Sequence, residues 1–423
     1  MRVLVVGGGP SGATTAHELA LRGVPVTLLE RNLCNDKSCA GGIPAKLITD
    51  FQIPDPIIES IATNIHFVAP TKRETKITVP RELGIGTVKR KVFDAFLRDR
   101  AAGVGAELIE ADFIRYEDRG ASKNSPRYRV EFKTRNGQVH HQECDFLIGA
   151  DGAISRVSKQ ALGRNLTQVV ARQKFITPTP DYMEGHFRDR VDVYYTSEIS
   201  PDYYGWVFPR RTDISLGVGV GYDRGRLIRP CLENLHRYNR QWLQGAVTTD
   251  INAAPIPVEQ DYGRIAFDNI LLVGDSAGFV LPALGEGIYY GMLAGRIAAQ
   301  QIHAYAEEGA AHPVSVYPRE VELTLEPLFK LFRAVQNWAY VSDFRRELFC
   351  ELCKDPYYSH KILATFAMKT PKPNRNLLRK VYNYSRLTAL LIKLGLMGNL
   401  RNVDYLKKLG INFEEEFAVA LGQ

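Results

Sequence analysis

The sequence has few cysteines and no long apolar run, and each scarcity excludes a class of protein. Six cysteines are spread irregularly over 423 residues, unlike the dense pattern of a disulfide-stapled secreted domain. No apolar run approaches the roughly 20 residues that a bilayer-spanning helix needs. A strand-like segment follows Met1 directly, which leaves no room for a targeting peptide. We therefore expect a cytoplasmic protein, with any membrane association confined to its surface.

Patterns for metals and nucleic acids are also scarce. Cys350 and Cys353 form a lone C-x-x-C without a second pair or histidine partners, so we expect no metal site. The formal net charge of +7 resides in residues 375–408, which carry eight Lys or Arg and one Asp. These residues lie outside any recognised nucleic-acid-binding module, so nucleic acid is not an expected partner. The amphipathic segment 374–394 either covers the core of its own domain or, within 374–408, contacts an anionic membrane.

The N-terminal segment has the strongest pattern. Residues 2–6 form a short, β-branched apolar run, which is typical of a strand buried on both faces of a parallel sheet. The sequence G-x-G-x-x-G follows. In it Gly7 permits a tight turn, Gly9 allows the backbone to approach a pyrophosphate, and Gly12 lets the next helix pack closely. This order predicts a dinucleotide-binding turn.

An acidic residue completes that pattern. The predicted second strand, residues 24–29, leads into Glu30, whose carboxylate can bind the hydroxyls of an adenosine ribose. We group the adjacent Arg31 with the cofactor-binding residues. The N-terminal segment by itself does not distinguish FAD from NAD(P).

Two later segments also place an acid at the end of an apolar strand. Asp151 follows the run 146–149, and Asp275 follows the run 270–273. Ligands of α/β sheets bind at this edge, where Asp275 can accept ribityl hydroxyls. Gly285 and Gly287 then let backbone amides face a flavin phosphate or ring edge. Together with the N-terminal segment, these motifs predict FAD.

Between the first two motifs lie a small-residue loop and a helix. Residues 32–44 hold Cys39, which the loop can bring near a flavin ring; the alternative is a flexible surface turn. In the helix predicted for residues 89–98, Arg90 either meets cofactor phosphate or ribityl groups or is solvated. The apolar face of that helix is predicted to consist of Val92, Phe93, Phe96 and Leu97.

Aromatic residues mark the central strands. Tyr204, Trp206 and Phe208 alternate along one predicted strand, so they share one face of it. With Tyr203 they can form a wall over a flavin. The alternative is that they pack an ordinary core.

These motifs together resemble the flavoproteins built on the p-hydroxybenzoate hydroxylase fold, and within them the geranylgeranyl reductase family. YGWVFP at residues 204–209, followed after seven residues by GVG at 217–219, matches that family's Y-x-W-x-F-P…G-x-G signature. SPDYYGW at 200–206 and GEGIY at 285–289 resemble its cyanobacterial and plastid branch. The likeness extends from Met1 to about residue 350.

The resemblance implies an α/β protein, α+β overall, in three parts. A Rossmann-like FAD-binding domain is expected from residues 1–60, 86–160 and 262–305. An antiparallel-sheet substrate domain is expected from residues 61–85 and 161–261, and a helical C-terminal region from residues 306–423.

The resemblance also implies a reaction, the reduction of isolated C=C bonds in a geranylgeranyl or other prenyl chain, chlorophyll-type lipids included. Hydride would come from reduced flavin, with NADPH as electron donor. Cys39 is the candidate for proton delivery, and Tyr204 and Trp206 can stabilise cationic character in the alkene. Tyr203, Phe208 and Glu286 are candidate substrate-binding residues.

Two other functions fit the same motifs. An FAD-dependent hydroxylase or halogenase of this fold would consume oxygen and can carry a motif similar to residues 204–209. A non-catalytic, flavin-bound prenyl-lipid-binding protein would keep the glycine motifs without needing a thiol.

Overall fold

A computed structural model describes residues 1–120, 125–163, 166, 168–355, 359, 362–364 and 367. The predicted membrane contact at 374–408, and with it the end of the helical region predicted for 306–423, lies outside these residues. The strands are β1 (Val3–Val6), β2 (Val26–Glu30), β3 (Gly42–Pro44), β4 (Ile58–Ala62), β5 (Asn64–Val68), β6 (Glu74–Thr78), β7 (Ile85–Val88), β8 (Glu107–Asp118), β9 (Tyr128–Thr134), β10 (Val139–Cys144), β11 (Phe146–Gly149), β12 (Gln168–Thr177), β13 (Arg190–Tyr194), β14 (Gly205–Pro209), β15 (Ile214–Gly221), β16 (Val247–Pro257), β17 (Ala266–Phe267) and β18 (Ile270–Leu272). The helices are α1 (Pro10–Leu21), α2 (Ala45–Asp50), α3 (Arg90–Gly103), α4 (Arg156–Leu162), α5 (Pro180–Tyr182), α6 (Ile228–Tyr238), α7 (Ile288–Glu308), α8 (Pro313–Ala339) and α9 (Asp343–Leu352).

The first sheet carries the dinucleotide motif. Its order is β10-β9-β8-β2-β1-β11-β18-β17, and the strands from β8 to β18 pair in parallel. All four residues of β1 are buried, as the unbroken apolar run predicts for a central parallel strand. Helix α1 packs against α3 and α7. The glycine turn, the Asp151 segment and the Asp275 segment therefore follow three neighbouring strands, β1, β11 and β18.

The second sheet has the order β16-β12-β15-β14-β13-β5-β6 and is antiparallel except where β5 pairs in parallel with β13. One face packs on α6 through a cluster that includes Leu216, Val218 and Leu235. The opposite face carries the aromatic residues of β14. The predicted aromatic strand corresponds to β14, which contains Trp206 and Phe208 and directly follows Tyr204.

Helices α8 and α9 form most of the C-terminal part of the chain that the structure describes. Helix α8 packs on α7, and α9 lies near β6. The Arg346 side chain of α9 is fully buried and donates to the carbonyl oxygens of Ser200 at 2.7 Å and Pro201 at 2.8 Å. These bonds attach α9 to the turn that precedes the aromatic strand.

Strands β9 and β10 form a hairpin, with Gly137 at a φ of +87° in its turn. The predicted apolar face of α3 is wrong at Val92, which is 45% exposed, whereas Phe93 and Leu97 are fully buried. The buried positions of α3 recur at spacings of three and four residues, and Val92 falls outside that series, which consists of Arg90, Phe93, Asp94, Leu97, Arg98 and Ala101.

Candidate functional site

The glycine turn after β1 is built by close backbone contacts. Gly7 has a φ of +105°, and a Cβ on Gly12 would lie 1.9 Å from the Gly7 carbonyl oxygen. A Cβ on Gly9, by contrast, would have no protein atom within 4 Å. Gly9 lines a large cavity whose lining also includes residues of β14. Gly7 and Gly12 therefore shape the turn, while Gly9 presents backbone to the cavity.

Glu30 binds the same turn. Its carboxylate accepts from the Gly8 amide at 2.7 Å and from the Asn32 amide at 3.0 Å. The buried Arg98 side chain, which the sequence did not single out, donates to the Gly8 carbonyl oxygen at 3.1 Å. Arg31 is exposed. The ribose contacts predicted for Glu30 and Arg31 remain predictions.

The Asp151 carboxylate accepts hydrogen bonds from the turn that follows it. Its carboxylate accepts from the Ser155 hydroxyl, from the Arg156 amide at 2.6 Å and from the Val157 amide at 3.1 Å. A carboxylate at a helix N-terminus stabilises the free amides there. The neighbouring Ala150 and Gly152 line the cavity, but Asp151 does not. A cofactor-binding role for Asp151 remains a prediction. Capping of the α4 N-terminus is a competing explanation for an acid at this position.

Asp275 lies in the cavity and is paired. Lys37 Nζ is 2.8 Å from Asp275 Oδ2. Burial would raise the pKa of Asp275, but Lys37, and then Arg90, hold it below the usual value. A Cβ on Gly287 would lie 3.0 Å from the carboxylate, so this glycine leaves space beside it. Gly285 and Gly287 both line the cavity.

Arg90 is buried rather than solvated. Its guanidinium forms two bonds with Asp94, at 2.8 Å and 2.7 Å. Burial would lower the pKa of Arg90, but Asp94 and the Cys39 side chain raise it above the usual value. Arg90 therefore lies beside Cys39, where it lines the cavity.

Cys39 is half-buried and lines the cavity. Its sulfur accepts from the Gly41 amide at 3.3 Å. Burial, then the Glu286 carboxylate and the Cys39 side chain, raise the pKa of Tyr204 above its usual value. Glu286 is itself buried and lines the cavity. Cys39, Tyr204 and Glu286 are thus neighbours, although they are far apart in the sequence.

The aromatic residues form one wall of the cavity. Trp206 lies 6.0 Å from Tyr204 and 6.5 Å from Phe208, measured between ring centroids. Tyr203 stacks on Tyr204 at 4.9 Å. The Tyr204 hydroxyl donates to the Leu284 carbonyl oxygen at 2.5 Å, which ties the wall to the loop that contains Gly285.

The two glycines of the signature leave room for these rings. A Cβ on Gly217 would lie 2.3 Å from the Trp206 ring, and a Cβ on Gly219 would lie 2.6 Å from the Tyr203 ring. Aromatic and glycine positions of the signature are therefore parts of a single packing arrangement.

A continuous cavity joins the dinucleotide turn to the aromatic wall. Its lining includes Gly9 and Ser11 of the turn as well as Trp206 and Phe208 of the wall. Beyond the aromatic wall its lining is apolar and comes from helices, including Phe332, Val335 and Leu352.

The residues present fit FAD. Gly9 offers free backbone, Asp275 offers a carboxylate within the cavity, and the backbone at Gly285 and Gly287 faces the same space. Bound FAD would supply the redox chemistry that protein side chains lack. The residues that would hold it are Gly9, Asp275, Gly285 and Gly287, with Gly7 and Gly12 shaping the turn that carries Gly9.

Several residues near the cavity were missed in the sequence. Lys37 is a lone cation in the small-residue loop, which was its only signal. Gln173 and Ser215 are polar positions within buried strands, and such positions normally have a hydrogen-bonding partner. Asn252 stands in the edge strand β16. Only strand pairing brings these three side chains together.

Cys350 and Cys353 have no catalytic environment. Both are buried, neither lines the cavity, and burial raises the pKa of each thiol. Within the residues that the structure describes, no cluster of three or more His, Cys, Asp or Glu side chains is arranged to hold a metal. In the same residues, no helix combines the length and apolarity needed to cross a bilayer.

This site defines an FAD-dependent oxidoreductase, and a family model described as FAD dependent oxidoreductase matches residues 2–52. The chain is 32% identical to the chloroplastic geranylgeranyl diphosphate reductase of Oryza sativa, over 89% of this chain and 83% of that protein. It is 34% identical to the geranylgeranyl diphosphate reductase of Rhodobacter capsulatus, over 91% and 97% respectively. The chain belongs to the geranylgeranyl reductase family, as its motifs predicted.

Solved structures confirm the fold. A geranylgeranyl bacteriochlorophyll reductase-like protein from Thermoplasma acidophilum superimposes with a TM-score of 0.75 at 20% identity, covering 90% of this chain and 98% of that one. The flavin-dependent brominase Bmp2 superimposes with a TM-score of 0.68 at 15% identity, covering 92% of this chain and 100% of that one. Identities this low carry no statement about activity.

Proposed function

We propose that this enzyme reduces isolated C=C bonds in a geranylgeranyl or related prenyl chain. One observation carries the proposal: an apolar cavity lined by Tyr204, Trp206 and Phe208 continues directly from the residues that would hold FAD. A prenyl chain has no polar group to orient it, so shape and apolar contact must place each alkene. The relatives named above support this substrate class.

The wall and the loop supply what an unactivated alkene requires. Addition of hydride to one carbon needs a proton at the other and tolerance of positive charge between them. The ring faces of Tyr204 and Trp206 can attract such charge, which is worth about 2 kcal/mol in a desolvated site. The Tyr204 proton is engaged with the Leu284 carbonyl oxygen. Cys39 is therefore the better candidate for proton delivery.

The finer features of the proposal concern the head group, the electron donor and the location. Relatives are named for a diphosphate and for a glycerophospholipid carrying geranylgeranyl chains, and a chlorophyll-type substrate is a third candidate. We infer NADPH as electron donor. We also infer a cytoplasmic location with peripheral membrane contact through residues 374–408.

An anaerobic experiment tests the proposal. The purified protein is reduced without oxygen and mixed with geranylgeranyl diphosphate, a geranylgeranyl ether lipid or no substrate. We expect a prenyl substrate to re-oxidise the flavin and to gain the mass of two hydrogen atoms per reduced bond. Re-oxidation only after oxygen is admitted, with an oxygenated or halogenated product, would instead identify a hydroxylase or halogenase. Binding of prenyl lipid without any turnover would identify a carrier.

A further inference from the structure

A row of hydrogen bonds crosses four neighbouring strands of the second sheet. The Trp206 indole N–H donates to the Ser215 hydroxyl at 3.0 Å, and that hydroxyl donates to Gln173 Oε1 at 2.8 Å. The Gln173 amide then donates to Asn252 Oδ1 at 2.9 Å. Strand pairing sets this row, because Gln173 lies opposite both Asn252 and Gly217, and Gly217 lies opposite Trp206.

The row ends on the loop that carries Cys39. The Ser38 hydroxyl donates to the same Oδ1 of Asn252 at 2.6 Å. Ser38 precedes Cys39 in the chain, whereas Asn252 belongs to the edge strand of the sheet. One amide oxygen therefore joins the loop to the aromatic wall.

The chemistry of the row indicates positioning rather than proton transport. Trp206, Ser215 and Gln173 are buried, and their bonds satisfy polar groups that would otherwise be costly in an apolar wall. Side-chain amides neither gain nor lose protons near neutral pH, so Gln173 and Asn252 interrupt any proton relay along the row. Its effect is to hold two surfaces of the cavity at a set separation.

We propose that Asn252 is a positioning residue: through Ser38 and Gln173 it sets the distance between the Cys39 thiol and the substrate chain lying on Trp206. The inference rests on the proposed function for its kinetic consequence. Its structural consequence, the fixed position of the Cys39 loop, does not require that function. Misplacement of a reacting group by about 1 Å can cost on the order of 100-fold in rate.

Paired variants separate the Oδ1 bonds from the other bonds of Asn252. Asn252→Ala and Ser38→Ala each remove the hydrogen bond from the Ser38 hydroxyl to Asn252 Oδ1, which we call the tie. Ser38→Thr is the conservative variant, because it keeps the hydroxyl that donates to Asn252. The matched control is Asp250→Ala, because Asp250 accepts from Asn252 Nδ2 at 2.8 Å and takes no part in the tie.

The first measurement is the rate at which an alkylating reagent modifies Cys39. It is made in a Cys34→Ser background, since Cys34 is exposed and the four cysteines other than Cys34 and Cys39 are buried. We expect the alkylation rate of Cys39 to differ from that of the parent about 5-fold or more in Asn252→Ala and Ser38→Ala. In the conservative and control variants the rate should stay within about 2-fold of the parent. Equal rates in all variants would overturn the proposal.

The second measurement is anaerobic single-turnover kinetics. We expect both alanine variants to slow flavin re-oxidation by geranylgeranyl diphosphate about 10- to 100-fold, with flavin reduction and substrate KM nearly unchanged. The double variant should be no slower than the slower single variant, because both remove the same tie. If the rate losses of the two single variants multiplied in the double variant, the two residues would not act through one tie. If no prenyl substrate re-oxidises the parent enzyme, the proposed function fails, and the alkylation experiment still decides the tie.

Discussion

The Trp206 indole lies directly across Gly217, its partner on the neighbouring strand, and a Cβ at residue 217 would be 2.3 Å from the ring. Every other residue type would therefore push the ring out of the cavity wall. The Trp206 N–H is at the same time bound to Ser215 at 3.0 Å, so the ring cannot rotate freely to make room. This relationship explains why a glycine and an aromatic residue belong to one signature.

Gly217→Ala should destabilise the protein by about 1–3 kcal/mol, the usual cost of overpacking a core. Adding Trp206→Phe should recover part of that loss, because a smaller ring removes the clash. Denaturant unfolding of the single and double variants measures both effects. Gly185→Ala is the control, since a Cβ there has no atom within 4 Å. Additive losses in the double variant would show that the clash is not the cause.

Gly9 and Gly12 should respond differently to alanine. Gly12→Ala places a Cβ 1.9 Å from the Gly7 oxygen, so it should lower the thermal unfolding temperature before any cofactor is added. Gly9→Ala meets no protein atom, so stability should persist while FAD affinity falls at least about 10-fold, because the methyl group blocks backbone approach to a pyrophosphate. Thermal unfolding and FAD titration by fluorescence test the pair, with Gly103→Ala as control. Normal FAD affinity in Gly9→Ala would remove the turn from the cofactor site.

Cys39→Ser should leave flavin reduction normal and slow alkene reduction. Serine nearly preserves size, but its hydroxyl is a much weaker acid than a thiol. Loss of one positioned proton donor typically costs 10²- to 10⁴-fold, or roughly 3–5 kcal/mol in the barrier. The two half-reactions are followed separately without oxygen, and Cys34→Ser is the matched control. Re-oxidation within a few-fold of normal would exclude Cys39 as the donor.

His186 should make stability dependent on pH. Burial, followed by the nearby Arg190, lowers its pKa to about 4 in the folded chain, from an ordinary value of 6.5. Between these values the unfolded chain binds more protons, so the contribution is complete above pH 6.5 and is lost as the pH falls towards 4. Since the ring is only half-buried, we expect a loss of about 1–2 kcal/mol.

Trp242 offers a way to observe that titration, because its ring stacks on His186 at 3.8 Å. His186→Phe keeps a ring in place without a titrating group, and it should flatten the stability profile between pH 6.5 and 4. His140→Gln, on the exposed hairpin, should leave the profile unchanged. An unchanged profile in His186→Phe would assign the acid sensitivity elsewhere.

The sequence by itself determined the family, the cofactor and the class of fold. Local patterns carry that information: an apolar run followed by G-x-G-x-x-G allows few backbone courses, and alternation in residues 204–208 already places three aromatic rings on one face. Two of those rings, Trp206 and Phe208, lie within β14.

The tertiary structure alone decided which distant side chains meet. Ser38 and Asn252 are separated by 214 positions, and Lys37 and Asp275 by 238, so no local pattern relates them. The loop of Cys39, the start of α3 and the turn before α7 converge only because β1, β11 and β18 lie side by side and the second sheet covers their ends. Whether a side chain faces cofactor, substrate or its own turn depends on that packing, as the capping role of Asp151 shows.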